Sequence, residues 1–140
     1  MSNINAEEDF RRLLWFMLGG SRGGENRAKI LSAIKSRPSN LNQLAKLIDV
    51  DYRSVQHHMS VLRKNNLVLG AGQKYGVVYS IHPYLDFHFD IFQKVCGELG
   101  YAATLLDISV ANTERRLEKI RKKSEVVTPQ IGLAGDVLPL

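Results

Sequence analysis

The sequence predicts a mainly helical fold with one small β-hairpin in the middle of the chain. Apolar residues recur at three- and four-residue steps over most of the 140 residues, which is typical of amphipathic helices. This spacing is interrupted at 67–81, where two short apolar runs flank the glycine-containing loop 70–74 and indicate a hairpin. The last regular segment, 99–120, keeps a heptad spacing that is typical of helices that pair with another helix.

Positive charge is concentrated in the middle of the chain. The whole chain has 19 Lys and Arg against 14 Asp and Glu, a net charge of +5. Residues 20–80 contain ten basic and three acidic residues, a net charge of +7, whereas 1–19 and 81–140 each have a net charge of −1. This distribution favours a nucleic-acid partner, although a solvated basic face would give the same count.

Composition excludes several classes of protein. Apolar residues at 44% and charged residues at 24% are typical of a globular chain and exclude wholesale disorder. The single cysteine, Cys96, excludes an internal disulfide and a zinc site with several cysteines, and we expect it to be a small buried residue. The start of the chain is polar and acidic, unlike a signal peptide, and the longest apolar run, 13–18, is too short to span a bilayer. We therefore expect a cytoplasmic protein with no membrane partner.

A glycine-rich hinge separates the first two predicted helices. Segment 5–18 is predicted as a helix that ends at Gly19, and 21–24 as a flexible joint. A second helix spans 25–36, because Pro38 disfavours helical geometry in the residue before it. The residues of this helix predicted to point outward are Arg27, Lys29 and Lys35.

Two capped helices are predicted next. Asn40 is the expected N-cap of a third helix that ends near Ile48, because its side chain can accept the free amides of the first turn. Asp51 is the expected N-cap of a fourth helix that runs to about Asn65. The buried stripe of the fourth helix is predicted to be Val55, His58, Met59 and Leu62.

The hairpin and the C-terminal region follow. The two strands are predicted at 67–69 and 75–81, and Pro83 ends the second one. Segment 84–95 is predicted as a single helix, and 126–140, which has no apolar periodicity, as a flexible tail. The aromatic face of the 84–95 helix is expected to consist of Phe87, Phe89 and Phe92.

Two helices, a short turn and a hairpin follow one another in the order of a winged helix-turn-helix. Segment 43–68, QLAKLIDVDYRSVQHHMSVLRKNNLV, resembles the core of ArsR-type winged-helix regulators. Ala45 stands where that family has a small residue between the two helices, and Leu67 where the wing begins. The segments 22–27 and 51–58 are similar to the archaeal branch of the family. The resemblance covers about residues 10–82 and implies a winged-helix fold in a DNA-binding transcriptional regulator.

This resemblance divides the chain into four parts. Residues 1–20 are expected to form an N-terminal packing and dimerisation helix, 21–82 the DNA-binding domain, 83–125 the dimerisation helices and 126–140 the tail. The fold class is therefore α+β, mainly α, with a small wing and dimerisation helices at both ends.

The outward face of the fourth helix is the predicted DNA-reading surface, because a helix fits the major groove. Arg53 could pair with guanine and Gln56 with adenine. The predicted base-reading residues are Tyr52, Arg53, Gln56, His57 and Ser60. The predicted contacts to the DNA backbone are Arg22, Arg27, Lys29, Ser54, Arg63, Lys64 and, at the wing tip, Lys74. For each of them a plain solvated side chain is the alternative.

The heptad residues of segment 99–120 predict self-association into a homodimer. They are spaced by alternating steps of four and three and comprise Leu99, Ala103, Leu106, Val110, Thr113, Leu117 and Ile120. We call this set the heptad seam. Packing of the seam against its own domain, or against another protein, is the alternative.

Neither a metal site nor an active site is predicted. His57 and His58 are adjacent in a helix and point about 100° apart, so they do not easily share one ion; His58 is the expected core histidine. His82, Asp86, His88 and Asp90 do not share one helix face. ArsR-type metal sensors often have paired cysteines on the recognition helix, where this chain has none. We expect no metal, no cofactor and no enzymatic activity.

The sequence thus predicts a sequence-specific transcriptional regulator that binds double-stranded DNA as a homodimer. The alternatives are a winged-helix adaptor of the transcription machinery and a non-specific DNA-binding chromatin protein. The effector, the operator and the choice between repression and activation are not encoded in any motif.

Overall fold

The computed structural model describes residues 2–20, 22–74 and 76–137, with side chains between 5 and 124 within those ranges. It confirms the predicted mainly helical α+β fold with one small β-hairpin. In the part of the chain that it describes, seven helices and two strands follow one another: α1 Ser2–Leu18, α2 Gly24–Ser36, α3 Leu41–Ile48, α4 Tyr52–Lys64, β1 Val68–Ala71, β2 Val78–Ile81, α5 Pro83–Phe87, α6 Phe89–Glu98 and α7 Ala102–Val137. No helix of these described ranges has the length and apolar character needed to cross a membrane.

One hydrophobic core joins the helices, and α2 is at its centre. Helix α2 contacts α1, α3, α4, β2 and α7. Leu14 of α1, Leu31 of α2, Leu44 of α3, Leu62 of α4 and Phe92 of α6 are all fully buried. Helices α3 and α4 therefore do not form a separate unit, since they share one core with the N- and C-terminal helices.

Both predicted N-caps are confirmed. The Asn40 side chain accepts a hydrogen bond from the Gln43 backbone N (2.8 Å), and the Gln43 side chain accepts one from the Asn40 backbone N (2.9 Å), which completes a capping box. The Asp51 carboxylate accepts from the Ser54 backbone N at 3.0 Å. Asp49 ends α3 with a φ of 56°, a left-handed conformation that aspartate tolerates. This turn and the two caps fix the angle at which α4 leaves α3.

The hairpin is anchored to the segment that precedes α3. Val68 pairs with Ile81 and Gly70 with Tyr79 in antiparallel register. Tyr79 also exchanges two backbone hydrogen bonds with Ser39, at 3.1 and 2.8 Å. The strands differ from the predicted 67–69 and 75–81, because the ladder begins only where Val78 faces Ala71.

The predicted helix 84–95 is wrong, because the structure has two helices there. Helices α5 and α6 meet at His88, whose φ of −104° is not helical. The predicted aromatic face is also wrong in part. Phe92 is fully buried and Phe89 packs against the core, but Phe87, in the last position of α5, is 83% exposed.

Helix α7 differs from the prediction at both ends. It begins at Ala102, after Gly100 with a φ of 81°, so Leu99 lies outside the helix and the seam starts at Ala103. The inclusion of Leu99 in a continuous helical seam is therefore wrong. At the other end the helix continues to Val137, where a flexible tail is predicted from 126 onward. Helix nucleation is unfavourable, but adding residues to an existing helix is not, so a segment without apolar periodicity can extend α7.

The close approach of α1 and α2 gives a stability prediction. A Cβ at Gly24 would overlap the Leu18 backbone carbonyl, whereas a Cβ at Gly97 in α6 would meet no atom within 4 Å. We expect Gly24→Ala to lower the free energy of unfolding by about 1–3 kcal/mol through steric strain. Gly97→Ala should raise it by about 0.5–1 kcal/mol through helix propensity. Urea denaturation of both variants checks this, and equal effects would contradict the packing described.

Candidate nucleic-acid interface

Helix α4 has one buried and one exposed face. Val55 and Leu62 are fully buried, Met59 is 1% exposed and His58 is 8% exposed, so the predicted inward stripe is confirmed. The exposed side chains on the rest of the helix are Tyr52, Arg53, Gln56, His57, Ser60, Arg63 and Lys64. We call Tyr52, Arg53, Gln56, His57 and Ser60 the recognition surface. The structure therefore brings all five predicted base-reading residues to one exposed surface.

Two adjoining concavities lie between α4 and the wing. Both are lined by Leu41, Gln56 and Tyr79. The first, of about 290 Å³, also includes Tyr52 and the wing-tip Lys74. The second, of about 620 Å³, is additionally lined by Arg53, His57, Met59, Ser60 and Arg63. The wing thus stands beside the recognition surface, and its lysine faces the N-terminal end of α4.

The N-terminal end of α4 holds a carboxylate. Two hydrogen bonds from Ser54, one from its hydroxyl (2.7 Å) and one from its backbone N, lower the pKa of Asp51 below its usual range. Asp51 is therefore ionised at neutral pH. Because the Ser54 hydroxyl donates its hydrogen to Asp51, it has no donor left for the predicted phosphate contact.

The predicted outward orientation of Arg27 is wrong. Its side chain is 5% exposed, its Nε donates to the Met17 carbonyl at 2.6 Å, and its Nη1 donates to His58 Nδ1 at 3.3 Å. The physical reason is the end of α1, where the last carbonyls have no partner inside the helix. Tyr101 satisfies a second one, since its hydroxyl donates to the Leu18 carbonyl at 2.7 Å. The apolar periodicity of the sequence does not reveal these hydrogen bonds, because they join side chains to carbonyls of another helix.

His58 connects α4 to the rest of the core. A guanidinium only donates, so Nδ1 must accept from Arg27, and the imidazole is neutral. Burial, followed by the charge of Arg27, lowers the pKa of His58. The ring also lies against Gly23, where an added Cβ would be 2.5 Å from His58 Cε1. Three other predicted phosphate contacts line neither concavity beside α4: exposed Arg22, half-buried Lys29 and exposed Lys64.

The residues near 82–90 have structural partners. His82 Nδ1 accepts from the Tyr84 backbone N at 3.1 Å, and Asp86 forms an ion pair with Lys35 at 2.5 Å. His88 lies against the Tyr84 ring, with 4.6 Å between centroids. Within the described ranges, no three His, Cys, Asp or Glu residues are grouped as metal ligands. Cys96 is fully buried, as expected, and burial raises its pKa to about 12, so its thiol is not reactive.

The heptad seam of α7 is exposed. Leu106, Val110, Leu117 and Ile120 are between 50% and 64% exposed, and Ala103 and Thr113 are exposed too. A different face of α7 packs on the domain, with Ile108 buried and Asn112 Nδ2 donating to the Ala33 carbonyl at 3.3 Å. The alternative in which the seam packs against its own domain is therefore wrong.

Comparison with known proteins supports the fold. No family model matches the chain, and no curated protein matches its sequence. Among solved structures, the chain is similar to a predicted DNA-binding transcriptional regulator from E. coli, with a TM-score of 0.51 and 13% identity over 68% of this chain and 98% of that one. It is also similar to reduced HlyU from Vibrio cholerae, with a TM-score of 0.50 and 11% identity over 68% and 97%. At these identities the likeness establishes the winged helix-turn-helix fold.

The neutral His58 gives a prediction for the pH dependence of stability. Its folded-state pKa lies below the ordinary value of 6.5, so the unfolded chain binds more protons between these two values. The stabilising contribution is therefore complete above about pH 6.5 and is lost as the pH falls through the folded-state pKa. We expect His58→Gln to reduce the drop in Tm between pH 7.5 and pH 5.

His57→Gln is the matched control for this thermal denaturation series, because His57 is exposed on the adjacent position of α4. Because the charge of His57 comes after burial and Arg27 among the causes that lower the pKa of His58, the control should change the wild-type pH profile less than His58→Gln does. If the two variants had the same profile, His58 would not be the group that couples protonation to folding.

Proposed function

We propose that this protein is a transcriptional regulator that binds specific sequences of double-stranded DNA as a homodimer. In this proposal α4 enters the major groove and the hairpin contacts the backbone. The observation that carries the proposal is the recognition surface: five side chains with hydrogen-bonding groups are exposed on a helix whose other face is fixed in the core. A rigid helix with a free polar face fits the major groove.

The chemistry of the recognition surface fits base edges. Arg53 and Gln56 are close to the N-terminal end of α4, which in helix-turn-helix proteins contacts the bases. Arginine pairs in bidentate fashion with guanine, and glutamine with adenine. The proposed backbone contacts are the exposed cations Arg22, Arg63, Lys64 and Lys74, together with half-buried Lys29. Arg27 is left out because its guanidinium is committed to the core.

The homodimer is proposed from the heptad seam. Four large apolar side chains of the seam are at least half exposed along one face of α7, and pairing with a second copy would remove them from water. Two-fold symmetry would then set the two copies of α4 about 34–36 Å apart, one turn of DNA. The resulting site would be near-palindromic.

The similarity to the E. coli protein, a predicted DNA-binding transcriptional regulator, supports the same role here. Membership of the ArsR type, and of its archaeal branch, stays a prediction from segments 22–27 and 43–68. A regulator of this kind would act in the cytoplasm and would not be an enzyme.

An adaptor that binds another protein through the seam is the second candidate, because the seam is exposed whichever partner it takes. A general DNA-binding protein is the third. Fluorescence anisotropy with the upstream duplex of the gene and a scrambled duplex, across a salt series, separates all three. Tighter binding to the upstream duplex at moderate salt supports the regulator, and equal binding supports a chromatin role. No binding at low salt favours the adaptor.

Two substitutions distinguish base contacts from backbone contacts. We expect Arg53→Ala to weaken discrimination between preferred and scrambled duplexes by about 1–3 kcal/mol, because a bidentate base contact is lost. Lys74→Ala should weaken binding to both duplexes alike and reduce the slope of log K against log salt by about 0.9. Anisotropy titrations measure both quantities. If both variants lost affinity for the two duplexes equally, Arg53 would not contact a base and the bases would be contacted by another surface.

The seam is tested by charge substitution. Because Leu106 and Leu117 are 64% and 58% exposed, replacing both with lysine leaves the core intact but places charge in the proposed interface. We expect the double variant Leu106→Lys, Leu117→Lys to sediment as a monomer while its circular dichroism is unchanged. Leu69→Lys, at an exposed leucine of β1, is the control and should stay dimeric. A monomeric wild-type protein would exclude the homodimer.

A further inference from the structure

The domain-facing side of α7 changes its chemistry along the helix. Where α7 lies along α2, this side has Leu105 and the buried Ile108, and then Asn112, which bonds to the Ala33 carbonyl. The same three- and four-residue spacing then continues with Arg115 and Lys119. The side is therefore apolar against the core and becomes basic near the C-terminal end of α2.

Arg115 has hydrogen-bonding capacity that the described protein does not use. Its Nη2 donates to Asn112 Oδ1 at 2.9 Å and to Ser39 Oγ at 3.4 Å. Its Nε and Nη1 are buried and have no hydrogen-bond partner among the described residues. Burial and the nearby charge of Arg37 lower the pKa of Arg115, and no carboxylate acts in the opposite direction. A buried donor without a partner is unfavourable, so this guanidinium is suited to an acceptor brought by another molecule.

A basic cavity lies beside Arg115. It has a volume of about 340 Å³ and is lined by Arg37, Arg116, Lys119, Ile120 and Lys123. Four of these five residues are cations, and none is acidic. The acidic residue within 116–123 is Glu118, which forms an ion pair with Arg121 at 2.5 Å. The cavity therefore has a high positive charge, which suits an oxyanion, and Arg115, which does not line it, adjoins its lining residue Arg116 in sequence.

This cavity is next to the proposed DNA surface. Arg37 and Ser39 belong to the segment between α2 and α3, and Ser39 is paired with Tyr79 of the wing. The next residue, Asn40, lines the concavity beside α4 together with Lys74. One short stretch of backbone thus connects the basic cavity to the recognition surface.

We propose that this cavity is a phosphate site that binds the backbone of the same duplex, outside the base pairs that α4 contacts. We call the four cations that line it, Arg37, Arg116, Lys119 and Lys123, the α7 phosphate site. The inference rests on the proposed DNA-binding function and extends it. A free phosphate group has the same chemistry, but Arg116, Lys119 and Lys123 are spaced by three and four residues and form a strip along one side of α7, which suits a polyanion better than a single ion.

The test uses Arg37→Gln and Lys119→Gln in the full chain, because Arg115 is partly buried and its replacement could unfold the protein. Each variant should lower the salt slope of binding by about 0.9. Between 50 and 200 mM salt, the affinity of each variant should therefore fall about 3.5-fold less than that of the wild type. Preference for the upstream over the scrambled duplex should be unchanged. The effect should disappear on a duplex trimmed to the base pairs that α4 contacts.

Lys94→Gln is the matched control. Lys94 is an exposed lysine of α6 that lines a cavity with Glu7, Glu8 and Asp90, so it is not expected near DNA. Its salt slope should equal that of the wild type. Thermal denaturation of all three variants verifies that each one is folded.

Three outcomes would overturn the inference. If the wild type binds the duplex but Arg37→Gln and Lys119→Gln keep its salt slope, the α7 phosphate site is wrong and the proposed function stands. If the wild type does not bind DNA, both fail together. In the third outcome, calorimetry shows saturable binding of inorganic phosphate to the DNA-free wild type, and both variants lose this binding while their salt slopes for the duplex are unchanged. The cavity then binds a free anion instead of the duplex.

Discussion

The position of α4 depends on one buried guanidinium. Arg27 donates to the Met17 carbonyl at the end of α1 and to His58 on α4, so a single side chain joins three helices. The interior is favourable for a cation only where such partners are in place, and breaking a buried charged contact on one side is strongly destabilising. His58 has to be neutral to accept this hydrogen bond, and its lowered pKa agrees with that role. The face of α4 that is proposed to read DNA is thus held from behind by a polar contact as well as by its apolar stripe.

Helix α7 combines three surfaces that would otherwise require separate elements. One side packs against α2 through Ile108 and Asn112, a second exposes the heptad seam, and beyond Asn112 the domain-facing side turns basic, with Ile120 shared by the seam and the basic cavity. Because a helix is stiff over this length, a second copy bound at the seam would also fix where the two basic segments lie relative to each other. Dimerisation and contact with the DNA backbone would then be coupled through one rigid helix. The geometry of α7 would therefore determine the spacing of the two half-sites in the DNA.

Periodicity predicts most of the fold and the recognition surface. The inward stripe of α4 and the N-caps Asn40 and Asp51 follow from local rules, and the structure agrees with them. The orientation of Arg27 could not be predicted in this way, because its partner is a carbonyl on another helix. The break at His88 and the start of α7 at Ala102 depend on how the chain turns against the core, which a single apolar pattern does not specify. The basic segment 115–123 of α7 is hidden when charge is averaged, since 81–140 as a whole has a net charge of −1.

The caps also determine how phosphate can be bound. A helix N-terminus is a general site for anions, but at α4 the ionised Asp51 accepts from the Ser54 amide and adds a negative charge that disfavours a second anion, and at α3 the Asn40 and Gln43 side chains accept from two of the amides. Backbone phosphates would therefore be held by lysine and arginine side chains and not by the ends of these two helices. Each such side chain releases about one counterion when it binds, so the salt slope counts them. A wild-type slope larger than Arg22, Lys29 and the cations of α4 and the wing can supply would require the additional cations of α7.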